Sequence, residues 1–501
     1  MKQIRDELYK RTLLNRLRLD APLYHYKAVF EETSSWPGDF PGRALLALVS
    51  LHSAFDGYST VQSDIKEQIE EIYNHLDEYT NEFGYFGVAF NGEFVDEQQA
   101  AGNSWFIRGL VDYYNIEKDE RILNRIESIV EHFLIPMSKF YLHYPTIMRD
   151  FGGVGGHITE ELYDGWRLSS DIGCAFIMID GMTAVYELTK NNALKENLRL
   201  IIEKFLTIDF VNLECQTHAT LSCARGIYRF YQSTNEEKYL QYAIEIFDKY
   251  LSLGMTYDYA NINWFNRPTT WTEPCCIVDS MILAKKLYLE TKNKKYLFYF
   301  NKMYENTIRV FQRDNGGAGC STCAINEQYS LKMFMYEAFF CCTMRFSEGL
   351  KEIVDFTVVK EDNVLLIPFV SSIVYNDKDF EVIVDNKVYK NNKLSIKVKK
   401  APRGSIIKLY LPFGEFVNKR YSLNEENLLV LDVEENGSYD IEYYVNLDNN
   451  NGFNYLGDRL LSKKEHHFDK IYIIDGEEYS LLYDHLLFNE EQLTSLIQYL
   501  K

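Results

Sequence analysis

The stretch Gly226-Ile227-Tyr228-Arg229-Phe230-Tyr231 closes one apolar run, and after a polar break residues 239–250 form a second, amphipathic run. Apolar residues in both fall at i, i+3, i+4 and i+7, the period of a helix with one buried stripe. The same pair recurs three more times. Leu110-Val111-Asp112-Tyr113-Tyr114 precedes residues 122–133, Met182-Thr183-Ala184-Val185-Tyr186 precedes 198–205, and residues 283–291 precede 296–311. An earlier pair spans residues 43–52 and 65–75. The first helix of each pair is rich in Ala, Gly and apolar residues, as an inner, doubly covered helix requires. The second carries Lys and Glu on one side, as an outer helix does. The tyrosine spacing is irregular, which excludes a fixed-period solenoid. Five pairs, a helix near residues 329–350 and an N-terminal helix near 3–19 make about twelve, the number in an (α/α)6 barrel.

Beyond residue 351 the texture changes. Short runs rich in β-branched and aromatic residues (358–359, 364–370, 380–384, 394–398, 406–411, 428–433 and 439–445) alternate with Asn, Asp, Gly and Lys turns. That pattern reads as a β-sandwich. The expected organisation is a barrel over residues 1–351, a sandwich over 352–447 and a tail over 448–501. The tail starts with the polar break Asp448-Asn449-Asn450-Asn451-Gly452. Strand-like stretches follow at 471–474 and 479–483, with a helix at 490–500.

Composition narrows the function. The 501 residues are 46% hydrophobic and 25% charged, with 38 Tyr, 32 Phe and 5 Trp. These are soluble-protein proportions, with aromatics enough for a large core and for a cleft where sugar rings stack. A formal charge of −20 without a basic stripe argues against nucleic acid. No run approaches the roughly 18 apolar residues of a membrane span, and the N-terminus lacks the apolar segment of a leader, so a cytoplasmic location is expected. Nine cysteines are too sparse for a disulfide scaffold. Six of them cluster as Cys275-Cys276, Cys320/Cys323 and Cys341-Cys342, which suits metal ligation. Cys174, Cys215 and Cys223 read as small buried residues.

Two motifs carry the chemistry. Trp271-Thr272-Glu273-Pro274-Cys275-Cys276 opens a helix, with Pro274 suited to its first turn. Tyr336-Glu337-Ala338-Phe339-Phe340-Cys341-Cys342 lies in or beside the last barrel helix. Thiolates and carboxylates are both zinc ligands, and a tetrahedral site needs four. Glu273 and Cys275 can converge on one ion at a helix start; Cys341 and Cys342 can do so only where the backbone departs from helix. Glu273, Cys275, Cys341 and Cys342 are therefore the expected Zn²⁺ ligands. The alternative is an all-cysteine site that pairs Cys320 and Cys323 with Cys341 and Cys342.

With these motifs the chain resembles the zinc-dependent β-L-arabinofuranosidases of glycoside hydrolase family 127. The likeness spans residues 36–445. It takes in Trp36-Pro37-Gly38-Asp39-Phe40-Pro41-Gly42-Arg43, His218-Ala219, Glu273-Pro274-Cys275, Cys341-Cys342 and the strand-rich C-terminal part. The resemblance implies that Cys341 is the nucleophile of a retaining hydrolysis and that Glu273, Cys275 and Cys342 complete the metal shell. Zinc would hold the sulfur as a thiolate, and a carboxyl would protonate the leaving oxygen and then activate water. The sequence departs from the family twice. Where the family has a Glu before its Glu-x-Cys motif this chain has Asp258, the expected acid/base, with Glu160 or Glu161 as alternatives. After the cysteine pair it has Thr343-Met344-Arg345-Phe346 in place of prolines and an Asn.

His218 and His157 are expected substrate residues, the latter after the glycine-rich Phe151-Gly152-Gly153-Val154-Gly155-Gly156. Trp105, Trp166, Trp264 and Trp271 are candidate stacking faces, and Trp105 is counted with the substrate residues. His466-His467 reads as solvated. The expected activity is exo-acting hydrolysis of a terminal sugar from a carbohydrate, by a monomer or a homodimer. A silent zinc-containing sugar-binding protein, or a lyase or epimerase with structural zinc, are the other readings.

Overall fold

The computed structural model describes residues 2–31, 36–149, 155–256, 259–268, 270–320, 323–325, 328–330, 335–369, 371–387, 393–411, 415–416, 422–423, 428–444, 447–450, 453–456, 459–462, 472–474 and 477–481. Among them, twelve helices build a closed double ring. They are α1 (Asp6–Leu19), α2 (Asp39–Ala54), α3 (Ser59–Asn74), α4 (Glu97–Glu117), α5 (Glu120–Ile129), α6 (Met178–Thr189), α7 (Asn192–Leu206), α8 (Thr217–Thr234), α9 (Glu237–Leu253), α10 (Pro274–Thr291), α11 (Lys294–Met303) and α12 (Cys342–Asp355). The even-numbered helices form the inner ring, each packed on the next and α12 closing on α2; each outer helix packs on an inner partner, with α1 against α12.

Burial separates the two rings. In α3 only Ile65, Gln68, Ile69, Ile72 and Tyr73 are buried, a single stripe at helical spacing, whereas α2 is buried continuously from Asp39 to Leu51. The inner helices approach closely through glycines. A Cβ on Gly42 would lie 2.4 Å from the Phe106 backbone nitrogen, and one on Gly226 would lie 2.6 Å from that of Asp180.

The hairpin connections repeat one chemistry. Helices α4, α6, α8 and α10 end at Lys118, Lys190, Asn235 and Lys292, each left-handed. The N–H of each returns to the carbonyl of a tyrosine four residues earlier: Tyr114, Tyr186, Tyr231 and Tyr288. Those are the tyrosines of the repeating sequence pattern. The next residue caps the following helix in three cases, with Asp119, Asn191 and Asn293 accepting from its first-turn N–H groups.

The β region is a sandwich. One sheet runs Lys2–Ile4, Ile373–Asn376, Glu381–Lys387, Lys393–Lys400, Gly437–Tyr444, Glu415–Phe416; the other runs Ser422–Leu423, Leu428–Val433, Ser405–Tyr410, Val364–Ile367, Val359–Glu361. Val382, Val384, Leu394, Ile396 and Val398 from the first face Ile407, Leu409, Leu429, Leu431 and Leu365 from the second in one buried cluster. Their every-other-residue spacing is the pleat of half-buried strands.

Some expectations need correction. The last barrel helix starts at Cys342 and not near 329, where Gln328–Ser330 is a strand paired with Cys323–Ile325. Helix α12 runs through 351/352 to Asp355, and residues 2–4 join the sandwich rather than the barrel. The polar segment expected as a break contains a strand, Leu447–Asn450, paired with Phe453–Leu456, because a short Asn/Gly-rich connection favours a hairpin. The helix at 490–500 and His466-His467 lie outside the described residues. No described helix is long and apolar enough to cross a membrane.

Candidate metal centre and cavity

The N-terminal ends of α2, α6, α8, α10 and α12 meet around a cavity of about 410 Å³. Its wall includes Asp39 and Arg43 from α2, Gln216 and His218 from the start of α8, Glu273 before α10 and Cys341 before α12. Aromatic and apolar surface comes from Trp36, Trp271, Met335 and Phe340. Inner helices thus present their N-terminal, positive dipole ends to this space, which favours thiolate and carboxylate groups there.

Four donor groups converge. One ligand atom from each of Glu273, Cys275, Cys341 and Cys342 lies within 4.8 Å of all the others. The Cys342 sulfur is 3.4 Å from those of both Cys275 and Cys341. A tetrahedral zinc with Zn–S bonds of about 2.3 Å has S–S edges of about 3.7 Å, so the set fits one such ion. Local structure explains the convergence. Glu273 is the N-cap of α10, its N–H held by Asn261 Oδ1 at 3.0 Å, and Pro274 occupies the first turn, where a missing N–H costs nothing. Cys341 precedes α12 at φ −147°, ψ −67°, outside helical geometry, and Cys342 begins the helix. That break lets adjacent cysteines face one point.

The three thiols crowd one another. Burial and hydrogen bonding of the Cys342 thiol to Cys275 and Cys320 raise its pKa well above the ordinary thiol range. For Cys341 a bond with Cys275 favours the thiolate, but its bond with Cys342 and burial outweigh it, and the net shift is upward. Burial pushes up the Cys275 thiol. A bound divalent cation reverses that balance. The sulfurs differ in access: Cys341 lines the cavity and is partly exposed, whereas Cys275 and Cys342 are fully buried and do not line it.

Charged groups surround the quartet. Arg43 donates to Asp39 at 2.7 Å and from its other arm to Cys275 Sγ at 3.8 Å. Burial opposes its cation, but Asp39 and the Cys275 and Cys341 thiols outweigh burial and raise its pKa. His218 spans Glu273 Oε1 (3.7 Å from Nδ1) and Asp279 Oδ2 (3.1 Å from Nε2). Asp279 also takes Arg225 and Arg345. His218 thus stands between the two carboxylates at ion-pair distance, next to one of the candidate ligands.

Other expected residues take different places. Trp105 is fully buried and offers no stacking face to the cavity; the Arg43 and Arg345 guanidiniums lie 4.5 Å from its ring and the His218 ring stacks parallel at 5.7 Å. It belongs to the support of His218. His157 is exposed and its backbone N–H donates to Ser170 Oγ at 3.1 Å; Gly155 and Gly156 before it line the cavity, and it does not. Trp166 and Trp264 are buried, while Trp271 lines the cavity edge-on to Trp264. Glu160 and Glu161 are exposed on the strand Ile158–Tyr163 and do not line the cavity. Cys320 is buried in the cavity wall outside the quartet. Asp258, residues 150–154 and the Cys323 side chain lie outside the description.

Sequence reasoning missed Asp171. It follows the strand Trp166–Ser169 and faces the cavity, its carboxylate accepting from the Gly156 N–H at 2.8 Å and from Gln216 Nε2 at 3.1 Å. No local pattern marks it, because its partners stand 15 and 45 positions away.

No family model matches the sequence, and no curated protein matches it. Solved structures do. The chain is similar to one described as a glycoside hydrolase (TM-score 0.63, 10% identity, covering 92% of this chain and 81% of that one). It is similar to a glycoside hydrolase family 127 β-arabinofuranosidase (0.62, 9%, 92% and 84%). It is also similar to a family 127 β-L-arabinofuranosidase from Geobacillus stearothermophilus T6 (0.62, 8%, 92% and 86%). At such identities the likeness is one of architecture: this chain has the helical-toroid and β-sandwich fold of the family 127 β-L-arabinofuranosidases.

Proposed function

We propose that the chain is a retaining glycoside hydrolase that removes a terminal, β-L-arabinofuranose-like sugar through a zinc-held Cys341 thiolate. One observation carries the reading: of the three sulfurs in the quartet, only Cys341 lines the cavity. A substrate in that cavity meets this sulfur, while Cys275, Cys342 and Glu273 remain to hold zinc. Zinc supplies charge that keeps sulfur ionised at neutral pH. Cys341 attacks the anomeric carbon, and Trp36, Trp271 and Phe340 offer apolar surface for the sugar ring. His218 lies 3.7 Å from Glu273, and Arg43 adds positive charge beside Cys275. The cavity lies in the range of small-molecule pockets, which suits exo-action on one terminal unit. A thiol centre of this kind needs reducing surroundings, consistent with a cytoplasmic location and with described cysteines that are all free.

Metal analysis of the purified chain is expected to give about one zinc per molecule, lost in Cys275→Ala and Cys342→Ala. Across aryl L-arabinofuranosides, Cys341→Ser is expected to retain less than about 1% of wild-type kcat. Equal turnover by wild type and Cys341→Ser removes the nucleophile from this reading, and metal-free wild type removes the zinc.

A further inference from the structure

A thiolate that displaces a sugar from its aglycone leaves two proton transfers undone. The leaving oxygen must gain a proton, and the water that later releases the sugar must lose one. Among the described residues the cavity presents three carboxyls: Asp39, Asp171 and Glu273. Glu273 belongs to the metal quartet. Asp39 is engaged by the Arg43 guanidinium at 2.7 Å. Among the described residues the donors to the Asp171 carboxylate are both neutral, the Gly156 N–H and the Gln216 amide. The guanidinium that acts on it electrostatically, Arg149, is committed to Glu97 at 2.6 Å and to the Tyr144 hydroxyl at 3.0 Å.

We infer that Asp171 is the acid/base of the reaction, the catalytic carboxyl that donates to the leaving oxygen and then takes a proton from water. This inference rests on the thiolate reading above. In the first half, a bond forms from Cys341 sulfur to the anomeric carbon as the carbon–oxygen bond to the aglycone breaks. The bond's electron pair passes to that oxygen, and the Asp171 proton follows it. In the second half, water oxygen bonds to the same carbon, the carbon–sulfur bond breaks with its pair returning to sulfur, and the Asp171 carboxylate takes the water proton.

The surroundings of Asp171 suit both halves. Burial raises its pKa to about 7; the Gly156 N–H and Arg149 oppose the rise, while Glu273 and Glu97 add to it. The Cys174 thiol interacts with it electrostatically, and Asp39, Arg43, His218, Cys320 and Cys341 are the other titratable groups that share its cavity with Glu273. A carboxyl with this value carries a proton to give near neutral pH and can also take one back. The Gln216 amide adapts to both states, because turning its oxygen toward Asp171 lets it accept from the protonated acid.

The test uses the full-length zinc-loaded protein with Asp171→Asn, which keeps the shape and the hydrogen bond from Gly156. Aryl L-arabinofuranosides with leaving phenols of graded acidity are the substrates. The variant is expected to lose about 10²–10⁴-fold in kcat/KM on poor leaving groups and little on dinitrophenyl. On the dinitrophenyl substrate a sugar adduct on Cys341 is expected to accumulate, seen by mass spectrometry, with turnover restored by azide. Independently of activity, carbon-13 labelled aspartate is expected to show one carboxyl titrating near pH 7 in wild type and absent from the variant. A uniform loss across leaving groups without azide rescue overturns the inference and leaves Asp171 a loop anchor. Wild-type behaviour of Asp171→Asn, with the leaving-group dependence appearing in Asp258→Asn, overturns it in favour of Asp258. Loss of the leaving-group effect together with full activity of Cys341→Ser marks failure of the thiolate reading itself.

Discussion

Asp171 and Asp279 are both buried aspartates beside the same centre, and their surroundings push them in opposite directions. Asp279, one helical turn after Cys275, is desolvated, but Arg345, Arg225 and His218 outweigh that cost and hold it well below the ordinary carboxylate range. Its contribution to stability is present above the unfolded carboxylate pKa and is lost as pH falls through the folded value. Asp171 meets neutral donors, and burial wins. A carboxyl whose folded pKa is raised lets the native state bind its proton more tightly than the unfolded chain does. Stability is then full below about pH 4 and falls as pH rises to about 7, by an amount on the order of a few kcal/mol. Asp171→Asn removes the titrating group. Its stability relative to wild type is expected to be unchanged or lower at pH 4, to climb between pH 4 and 7, and to level off above. Urea denaturation at pH 4, 5.5, 7 and 8 measures this; a constant difference would mean that Asp171 titrates in its ordinary range.

The hairpin is the element the chain repeats, and it was the most legible feature of the sequence. Stripes such as Ile65, Ile69, Ile72 and Tyr73 show on sight at helical spacing, and the recurring tyrosines mark where inner helices end. Less legible was what depends on neighbours remote in sequence. The start of α12 falls at Cys342, where Cys341 leaves helical geometry; the apolar pattern of residues 329–341 does not mark that start, and only the demand that adjacent cysteines share one ion called for a break there. Trp105 looked like a rim aromatic because its local stretch is polar, yet Arg43 and Arg345, 62 and 240 positions away, pack on it. The hairpin ends also carry strain. Lys190 sits at φ 53°, ψ 28°, a conformation that costs a side chain with a Cβ about 1 kcal/mol, and its ammonium rests 5.4 Å from the Tyr186 ring. Lys190→Ala keeps the strain and loses the ring contact, whereas Lys190→Gly loses both. The Gly variant is expected to exceed the Ala variant by about 1 kcal/mol in urea denaturation. Equal midpoints would show that the connection relaxes around Ala.

At the scale of the molecule, two units folded from separate stretches of chain are joined by the N-terminus. Residues 2–4 form an edge strand of the sandwich, paired with Ile373–Asn376, and the chain then enters α1 of the outer ring. The sequence expectation assigned all of residues 1–351 to the barrel, because three residues are too few to show strand periodicity and their partner lies some 370 positions later. The junction is reinforced from both sides. Lys2 Nζ donates to the carbonyls of Val354 and Asp355 at the end of α12, Tyr58, the residue before α3, donates from its hydroxyl to the Ile4 carbonyl at 2.8 Å, and the Arg5 N–H donates to Ser372 O at 3.0 Å. Helix α12 begins at the candidate metal quartet and ends at this junction, so one helix spans from the cavity to the sandwich. Deleting residues 1–5 removes the strand and exposes the pocket of Ile4, which is buried, at a cost of roughly 2 kcal/mol from that side chain alone. Hydrogen exchange is expected to quicken at Ile373–Asn376 and in the last turn of α12, while protection around Cys275 and His218 stays as in wild type. If protection falls equally at the quartet, the two units unfold as one, and the N-terminal strand is part of a single cooperative core rather than a joint between two.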